Sequence, residues 1–573
     1  MKLKLICGLS AFALVGCIDN AYDLSDIDTT TEVKVDDLVL PVNVDKVTLS
    51  DILDLSETSK VKVVTVDGVE YYAVVETGTF NPGSVEVARF TAAAPVIEDT
   101  RETISGVPAV AYISFPINKD EKTFAYNFSG IPDAVYGVKS VGVEGTTMSI
   151  TIDMSSIAAS TSSLSLDHLT LELPKGLTAV TSRGTYDAST GILSLGDVQL
   201  DNGKADVTLT ISAIDFEANG AVLDYNAHKL SMSCNIGVQS GEIHAVKKSD
   251  VSEIGNASLV IKYNMSPITA VSFTGKVKYD IDGMSISPIE LSDLPDVLTQ
   301  DGTSLALANP QIYLSTNNMV AKYGLTFSAS LKMTANREGK PSLSYTTDDG
   351  ASVNVGTSNG SGPYNFVLSP SMPSSPLPEF SKGLSHVPFT SLSDVFAGNG
   401  TISGIPTSIS VEVVNPQIPL QDVTDFKLGS TLTSDADTYE FYAPLALKKN
   451  SLIVYTKTFD GWNDEDVDKI TISSLTVSAT ATSTLPVGAT IVGYPIDKDG
   501  NVINNVKTDG GVIQANANGQ EITITTTGTI THLDGVKIEA RVQSEDDKAL
   551  SPSQTIQFEN IRVKVSGSYT REL

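Results

Sequence analysis

Apolar and polar residues alternate with a period of two in segments that recur from one end of the chain to the other. In Val536-Lys-Ile-Glu-Ala-Arg-Val542, every second side chain is apolar and those between are charged. Because successive side chains of a β-strand point to opposite faces, this pattern predicts strands with one buried face. The same pattern occurs in Met148–Met154, Val207–Ser212, Ile522–Thr525 and Ile561–Val565. The chain is therefore constrained towards antiparallel sheets.

Turn signals separate these alternating segments. The Asp-Gly and Asn-Gly pairs between them tolerate the positive φ of tight hairpin turns. They are Asp67-Gly68, Asn202-Gly203, Asp282-Gly283, Asp349-Gly350, Asp499-Gly500 and Asp534-Gly535. Helical periodicity does not persist beyond one or two turns. Because Ser and Asp suit helix N-termini, the sequence Leu-Ser-Asp at 49–51, 291–293 and 392–394 predicts short N-capped turns. We therefore predict an all-β fold.

The N-terminus has the features of an export signal. Met1-Lys-Leu-Lys4 is basic, and the apolar run that follows is too short to span a bilayer as a mature helix. The run ends in Leu14-Val-Gly-Cys17, which resembles the signal-peptide end of bacterial lipoproteins. The resemblance implies cleavage after Gly16, so that residues 1–16 are removed, and acylation of Cys17 with fatty acids such as palmitate.

An acidic segment follows the cysteine. Residues 17–36 are predicted to be a flexible tether, with four aspartates and no basic residue before Lys34. Acid-rich stretches at this position resemble the surface-export signals of Bacteroidota lipoproteins. The resemblance implies a lipid-anchored protein of the outer membrane that is exposed at the cell surface. A periplasm-facing protein with a merely solvated acidic linker is the alternative.

One internal segment, residues 165–213, resembles the immunoglobulin-like repeats of bacterial surface proteins. It contains Leu173-Pro-Lys-Gly-Leu177, then Gly184-Thr-Tyr-Asp-Ala-Ser-Thr-Gly191, then Leu193-Ser-Leu-Gly196 and a closing alternating strand. That family often has Trp in the third strand, where this chain has Leu193. The resemblance implies several immunoglobulin-like antiparallel β-sandwich domains in series and carries no catalytic residue.

Chain length and a proline-rich stretch predict the order of the domains. At roughly 150 residues per domain, 573 residues make three or four domains. The proline-rich stretch 370–378 cannot lie in a central strand and predicts a boundary. The predicted order is a lipoprotein signal peptide (1–16), an acidic tether (17–36), a β domain (37–128), an immunoglobulin-like β-sandwich (129–246), a β-sandwich (247–366), a Pro/Ser-rich linker (367–402) and a C-terminal β domain (403–573).

Charge and motif spacing exclude several functions. The chain has 68 Asp and Glu against 38 Lys and Arg, which gives a net charge of −30. Proteins that bind nucleic acids need a basic surface, so this charge excludes nucleic acid as a partner. The five histidines lie at least sixteen residues apart, without the local spacing of metal ligands. We therefore expect no metal, no cofactor and no catalytic residue. Of the three cysteines, Cys234 is predicted to be a core residue.

The sole tryptophan, Trp462, is the possible ligand contact. It lies in an acidic segment, Thr458 to Asp468, where an exposed ring could stack on a sugar and the carboxylates could hold Ca²⁺. The acids do not fit the EF-hand spacing, so a solvated loop is the favoured interpretation.

The sequence thus leads to one expected function and one alternative. We expect a non-enzymatic, lipid-anchored cell-surface protein that serves as a structural or accessory component of an outer-membrane protein complex. Its partner would be an outer-membrane β-barrel protein of a nutrient-uptake system or of the barrel-assembly or lipoprotein-export machinery. The alternative is a surface lipoprotein that binds glycans through Trp462.

Overall fold

The protein is nearly all β, as predicted. The computed structural model describes residues 30–40, 47–105, 107, 110–399, 401–402, 404–435, 437–449, 451–462, 470–544 and 548–572. Within these residues antiparallel pairing predominates, and β26 (Tyr364–Ser369) pairs in parallel with β27 (Ser385–Pro388). The prediction of an all-β antiparallel fold is confirmed.

The strands are numbered in chain order. The first twenty are β1 Thr30–Leu40, β2 Val47–Thr48, β3 Val61–Val66, β4 Val69–Asn81, β5 Ser84–Val85, β6 Thr91–Ala92, β7 Thr100–Ile104, β8 Tyr112–Pro116, β9 Asp120–Ser129, β10 Val135–Asp153, β11 Thr161–Glu172, β12 Leu177–Thr181, β13 Thr185–Asp187, β14 Ile192–Gln199, β15 Lys204–Asp215, β16 Val222–Asp224, β17 Lys229–Lys247, β18 Ala257–Met265, β19 Ile268–Val277 and β20 Ser285–Ile286. The others are β21 Ile289–Glu290, β22 Gln311–Thr316, β23 Phe327–Arg337, β24 Lys340–Thr346, β25 Val353–Val355, β26 Tyr364–Ser369, β27 Ser385–Pro388, β28 Ser408–Gln417, β29 Gln421–Lys427, β30 Leu432–Thr433, β31 Asp437–Pro444, β32 Ala446–Leu447, β33 Leu452–Phe459, β34 Ile470–Ser483, β35 Gly488–Ile496, β36 Val506–Asp509, β37 Gly511–Ile513, β38 Gln520–Ile530, β39 Gly535–Gln543, β40 Lys548–Ala549 and β41 Thr555–Glu572.

The helices are short. The α-helices are α1 Leu49–Leu53, α2 Ser155–Ala158 and α3 Asp296–Thr299, and single 3₁₀ turns lie at Glu217–Asn219, Ala321–Tyr323, Pro378–Phe380 and Thr390–Asp394.

The chain folds into two compact units, each built from separate stretches. Unit 1 consists of the described part of Met1–Asp54, together with Asp296–Thr303 and Lys449–Leu573. Unit 2 consists of Leu55–Pro295 and Ser304–Lys448.

Unit 1 contains two sheets. The first has the strand order β1-β41-β34-β38-β36, with β2 also paired to β41. The second has the order β33-β39-β35-β37. Strands β36 and β37 follow each other directly in the chain but belong to different sheets, so the chain crosses from one sheet to the other at Gly510.

Unit 2 contains the remaining large sheets. In the described part of the chain, its largest sheet has fifteen strands, ten of them in the order β12-β15-β10-β19-β6-β9-β17-β11-β14-β13. The other five strands, β7, β8, β16, β18 and β29, pair at the sides of this order. A second sheet has the order β20-β4-β31-β22-β26-β27 with β3 on β4, and a third has the order β21-β28-β23-β24 with β25 on β23.

These units differ from the predicted serial domains. Strand β4, in the predicted domain 37–128, pairs with β31 of the predicted domain 403–573, and β19 of the predicted domain 247–366 pairs with β29, also of the predicted domain 403–573. The chain passes from unit 2 to unit 1 at residue 449, within the predicted C-terminal domain. Partners that lie hundreds of residues apart leave no local signal in the sequence, so the pattern of turns and prolines does not show these pairings.

The predicted linker 367–402 also differs from the structure, since it belongs to a packed sheet. Strands β26 and β27 flank the prolines and pair in parallel, and parallel neighbours need a crossover of about a dozen residues or more. Leu377 and Phe380 in this crossover pack in one core cluster with Tyr313, whose hydroxyl accepts a hydrogen bond from the Leu377 N–H at 3.3 Å. The prolines thus lie in a connection within unit 2 that contributes Leu377 and Phe380 to its core.

The predicted tether 17–36 ends within a strand. Thr30–Leu40 forms β1, which pairs with the C-terminal strand β41 from Thr30↔Glu572 to Leu40↔Val563. Residues 17–29 lie outside the described part of the chain.

The segment that resembles immunoglobulin-like repeats forms paired antiparallel strands. β14 pairs with both β11 and β13, and β12 pairs with β15. Leu193, at the position where the family often has Trp, is fully buried. At the hairpin, the Asp187 carboxylate accepts hydrogen bonds from the Ser189 hydroxyl (2.7 Å) and N–H (2.9 Å), which lower the pKa of Asp187.

Cys234 lies in the core, as predicted. It is 2% exposed on β17, and burial raises the pKa of its thiol to about 12.

One carboxyl group of unit 2 makes its stability depend on pH. Glu440 on β31 is half-buried, and this burial, together with the neighbouring charge of Glu379, raises the pKa of Glu440 to about 6 from 4.5. Because the folded-state pKa lies above the unfolded one, protonation of Glu440 stabilises the fold. That contribution is fully present below the unfolded pKa and is lost as the pH rises through about 6.

We predict that Glu440→Gln raises the melting temperature at pH 8 and changes it less at pH 5, where the native side chain is already mostly protonated. Thermal unfolding followed by circular dichroism at both pH values measures this difference. Glu70→Gln, which neutralises an exposed carboxylate on β4, is the matched control. Equal effects of Glu440→Gln at the two pH values would contradict the assignment.

Candidate functional site

The two sheets of unit 1 face each other with their apolar rows. On β39 the inward residues include Ile538 and Ala540, and on β38 they include Ile522 and Ile524. These rows follow from the alternation in the sequence, since the residues between them, such as Glu539 and Thr523, are polar.

A bulge in β41 keeps its apolar residues on the inward face. The register with β34 shifts between Ser478 and Thr480, opposite Asn560, whose φ is 53°. Phe558 and Ile561 are three residues apart, so in a regular strand they would point to opposite faces. Because the bulge inserts an extra residue, both line the same interior.

Short helices contribute further apolar side chains to the same interior. Helix α1 begins with a capping box, in which Thr48 Oγ1 accepts from the Asp51 N–H (3.2 Å) and the Asp51 carboxylate accepts from the Thr48 N–H (2.8 Å). This is one of the predicted Leu-Ser-Asp turns. The helix places Leu49, Ile52 and Leu53 against the interior, and α3 adds Val297 and Leu298.

Between the sheets lies a cavity of about 420 Å³. This volume falls in the range of small-molecule binding sites, roughly 300–1,000 Å³. The lining comes from both sheets of unit 1, α1 and α3, and it is almost entirely aliphatic and aromatic.

Many of the lining residues retain access to solvent although they point inward. Val477, Ala479, Ile538, Ala540 and Phe558 are only half-buried, whereas residues at the ends of the cavity are fully packed. Folded interiors are close-packed, so an apolar inward row that stays half-exposed marks a space that protein atoms do not fill.

Small side chains create this space. Ala479, Ala489 and Ala540 occupy inward positions on three different strands. Gly493 also faces the interior, because a Cβ at this glycine would lie 3.3 Å from Ile538 Cδ1 and 3.5 Å from Ile524 Cγ2.

Few polar side chains line the cavity. Tyr455, Lys457 and Trp462 are the lining residues that carry a polar group, and Lys457 is the charged one. Tyr455 and Lys457 lie on β33, which is an edge strand of its sheet. With so few ionisable groups, the cavity suits binding of an apolar ligand better than acid–base chemistry.

Trp462 differs from the exposed platform considered for sugars. Its side chain is half-buried, lines the cavity and packs against a core cluster that includes Leu475 and Val563. The backbone N–H of Trp462 donates to the backbone carbonyl of Asp534 at 2.7 Å, which holds the residue at the end of the second sheet. The acidic residues that follow, 463–468, lie outside the described part of the chain.

The other predicted site residues are not in the structure's described range. Gly16 and Cys17 both precede residue 30. Among the described residues, no group of three or more His, Cys, Asp or Glu could hold a metal ion. At the Asp497 turn the carboxylate accepts from the N–H groups of Asp499 and Asn501, both at 2.9 Å, so it closes a hairpin.

Sequence reasoning missed the cavity as a site. One signal could have indicated it. In Tyr455-x-Lys457-x-Phe459, a charged residue occupies a position where the alternation calls for an inward apolar side chain. Alanines at inward positions of neighbouring strands are a second, weaker signal. Neither shows that two rows face each other, since that depends on how distant strands assemble.

We compared the chain with known proteins by family, by sequence and by structure. No known protein family matches it, and no curated protein matches its sequence. Among solved structures, one similar chain is a Parabacteroides distasonis protein provisionally described as secreted, with 18% sequence identity and a TM-score of 0.34. The match covers 51% of this chain and 88% of that chain. At this TM-score the similarity assigns no function or ligand.

Among the described residues, none of the helices is long and apolar enough to cross a bilayer.

Proposed function

We propose that this protein is a non-enzymatic, lipid-anchored cell-surface protein that binds an apolar ligand in the cavity of unit 1. It acts as an accessory component of an outer-membrane protein complex, of the nutrient-uptake or of the barrel-assembly and lipoprotein-export type. The observation that carries the binding function is the cavity of about 420 Å³ with half-buried apolar walls.

Burial of a ligand in this cavity would be favourable for a simple reason. Each Å² of apolar surface removed from water contributes roughly 25 cal/mol. The half-buried walls, among them Val477, Ile538 and Phe558, would lose their remaining contact with water together with the ligand.

The proposed anchor and the cavity are close along the chain. Thr30, the first residue of β1 in unit 1, lies thirteen positions after Cys17, with twelve residues between them. A segment of that length spans at most about 45 Å. Acylation of Cys17 would therefore hold unit 1 within that distance of the outer membrane, where apolar ligands concentrate.

The glycan-binding alternative has no support from Trp462. A sugar-stacking site needs an exposed aromatic face, whereas this side chain is half-buried against a core cluster. We therefore put forward the apolar ligand as the function.

Binding can be tested with a neutral fluorescent probe, N-phenyl-1-naphthylamine, whose emission rises in apolar surroundings. We expect saturable binding of one probe to the delipidated mature chain carrying Cys17→Ser. Ala489→Phe, which fills the cavity, should abolish this binding and raise the melting temperature, because filling a void typically stabilises by about 0.5–2 kcal/mol.

Thr490→Phe is the matched control for this experiment. It adds the same side chain to the next residue of β35, which is exposed on the opposite face. Retained binding in Thr490→Phe would localise the probe to the cavity. Absence of probe binding to the parent protein, or equal binding by Ala489→Phe, would refute the proposed function.

Anchoring and assembly require a separate test in the native host. We predict that radiolabelled palmitate is incorporated into the parent protein and not into Cys17→Ser, because the thiol of Cys17 carries the lipid. The parent should co-purify with an outer-membrane β-barrel protein after gentle detergent extraction and should be cleaved by proteinase added to intact cells. Purification of the protein alone, or complete protection from proteinase, would contradict the assembly or the surface location.

A further inference from the structure

We propose that the ligand of the unit 1 cavity is a single-chain anionic amphiphile, a long-chain fatty acid, whose head group pairs with Lys457. This rests on the proposed function and specifies the chemical class of the ligand. Three observations carry it: the charge in the lining, the position of that charge and the size of the cavity.

The charge in the lining has one sign. Lys457 is the lining residue that carries a charge, and it stands in an otherwise aliphatic and aromatic wall. This contrasts with the protein as a whole, which has a net charge of −30. At this cavity an anion meets a cation beside an apolar interior.

Lys457 lies at the edge of the cavity, where a head group could remain hydrated. Strand β33 is the edge of the second sheet, and Lys457 is exposed while its neighbours in the inward row, Tyr455 and Phe459, are half-buried. A lysine can lay its aliphatic stem along apolar surface and keep its ammonium in water. The Tyr455 hydroxyl lies two residues away on the same face and offers a second donor.

Space for the chain begins directly beside this lysine. Lys457 pairs with Ile538, which in turn pairs with Gly493 on the next strand. Ile538 and Ala540, which pair with Lys457 and Tyr455, both line the cavity, so the row leads from the charged edge into the space between the sheets. From Lys457 to Ile453, four residues along the strand, the cavity wall extends about 13 Å towards α1 and α3.

The volume of the cavity fits one acyl chain. A methylene group is close in size to a water molecule, for which roughly 30 Å³ is a fair volume. At that volume per group, 420 Å³ corresponds to about fourteen groups, which is the size of one fatty acyl chain.

Lys457 could instead protect the edge strand β33 from pairing with other molecules. Inward-pointing charges on edge strands hinder pairing between sheets of different molecules. The two roles make different predictions, because edge protection concerns aggregation of the protein, whereas a head-group contact changes affinity for anions alone.

Isothermal titration calorimetry of the delipidated mature chain carrying Cys17→Ser tests the proposal. The ligands are palmitate, its neutral counterpart monopalmitoylglycerol, and vesicles of dipalmitoylphosphatidylglycerol. We expect palmitate to bind with the highest affinity and the two-chain lipid not to enter the cavity. Shorter fatty acids should lose about fourfold in affinity per methylene removed, from the transfer free energy of that group.

Variants at Lys457 distinguish the contribution of its charge to affinity from that of the apolar cavity. Lys457→Met should weaken palmitate binding about two- to fivefold, the effect of losing an ion pair at an exposed lysine, and leave monopalmitoylglycerol binding unchanged. Lys457→Arg should retain the preference for palmitate. Lys537→Met is the matched control, since it removes a lysine from the outward face of the adjacent strand β39.

Each other outcome overturns the inference in an identifiable way. If the neutral probe binds but palmitate and monopalmitoylglycerol bind equally, with no effect of Lys457→Met, the proposed function stands and the anionic ligand is wrong. If the phosphatidylglycerol vesicles bind best, the ligand is a membrane lipid. If the protein acylated at Cys17 binds no palmitate while Cys17→Ser does, the cavity holds the protein's own acyl chain. Aggregation of Lys457→Met with unchanged affinity assigns the residue to edge protection.

Discussion

Backbone pairing between the two ends of the chain is the interaction on which unit 1 depends. Strand β41 lies between β1, from the N-terminal segment, and β34, so a single strand joins distant parts of the chain into one sheet. The same strand supplies Phe558 and Ile561 to the cavity through its bulge. Closing the long loop between β1 and β41 costs conformational entropy, and the backbone pairing along the two strands offsets this cost.

The sequence pattern of each segment predicts the strands, but it does not predict which strands pair with each other. Alternation in segments such as Val536–Val542 identifies strands and their buried faces, because the period of two belongs to the strand itself. The partner of a strand is a different matter. β4 and β31 pair although more than 350 residues separate them, and the prolines at 370–378, which predicted a linker, form the crossover of a parallel pair. Such pairings are set by tertiary packing and not by neighbouring residues.

The candidate site shows the same division between local and distant information. An inward lysine at 457 and inward alanines at 479, 489 and 540 are visible in the sequence once the strands are assigned. That they surround one space follows only from the facing of two sheets. Trp462 shows the reverse: an acidic context suggested an exposed ring, whereas contact with the core cluster draws the indole inward. Burial of a large aromatic surface outweighs the polarity of its sequence neighbours.

The proposed anchor and the proposed ligand suit each other physically. A protein held at an outer membrane by acyl chains on Cys17 works where amphiphiles are abundant, and its excess of negative charge keeps it from adhering to anionic surfaces. A cavity with one cation at its edge would then take up a single-chain anion selectively. Binding of this kind needs no catalytic group, and it would let the protein deliver or sense such a molecule within a membrane complex.

The sole tryptophan allows the most direct measurement of whether an acyl chain occupies the cavity. Trp462 lines the cavity, and the chain contains no other tryptophan, so its fluorescence reports on this place alone. Bromine atoms quench tryptophan emission on contact, and a fatty acid brominated in mid-chain can be titrated into the delipidated protein beside its bromine-free counterpart. We predict saturable quenching by the brominated acid and none by the other. Quenching that does not saturate, or equal emission with both acids, would show that the chain does not enter the cavity.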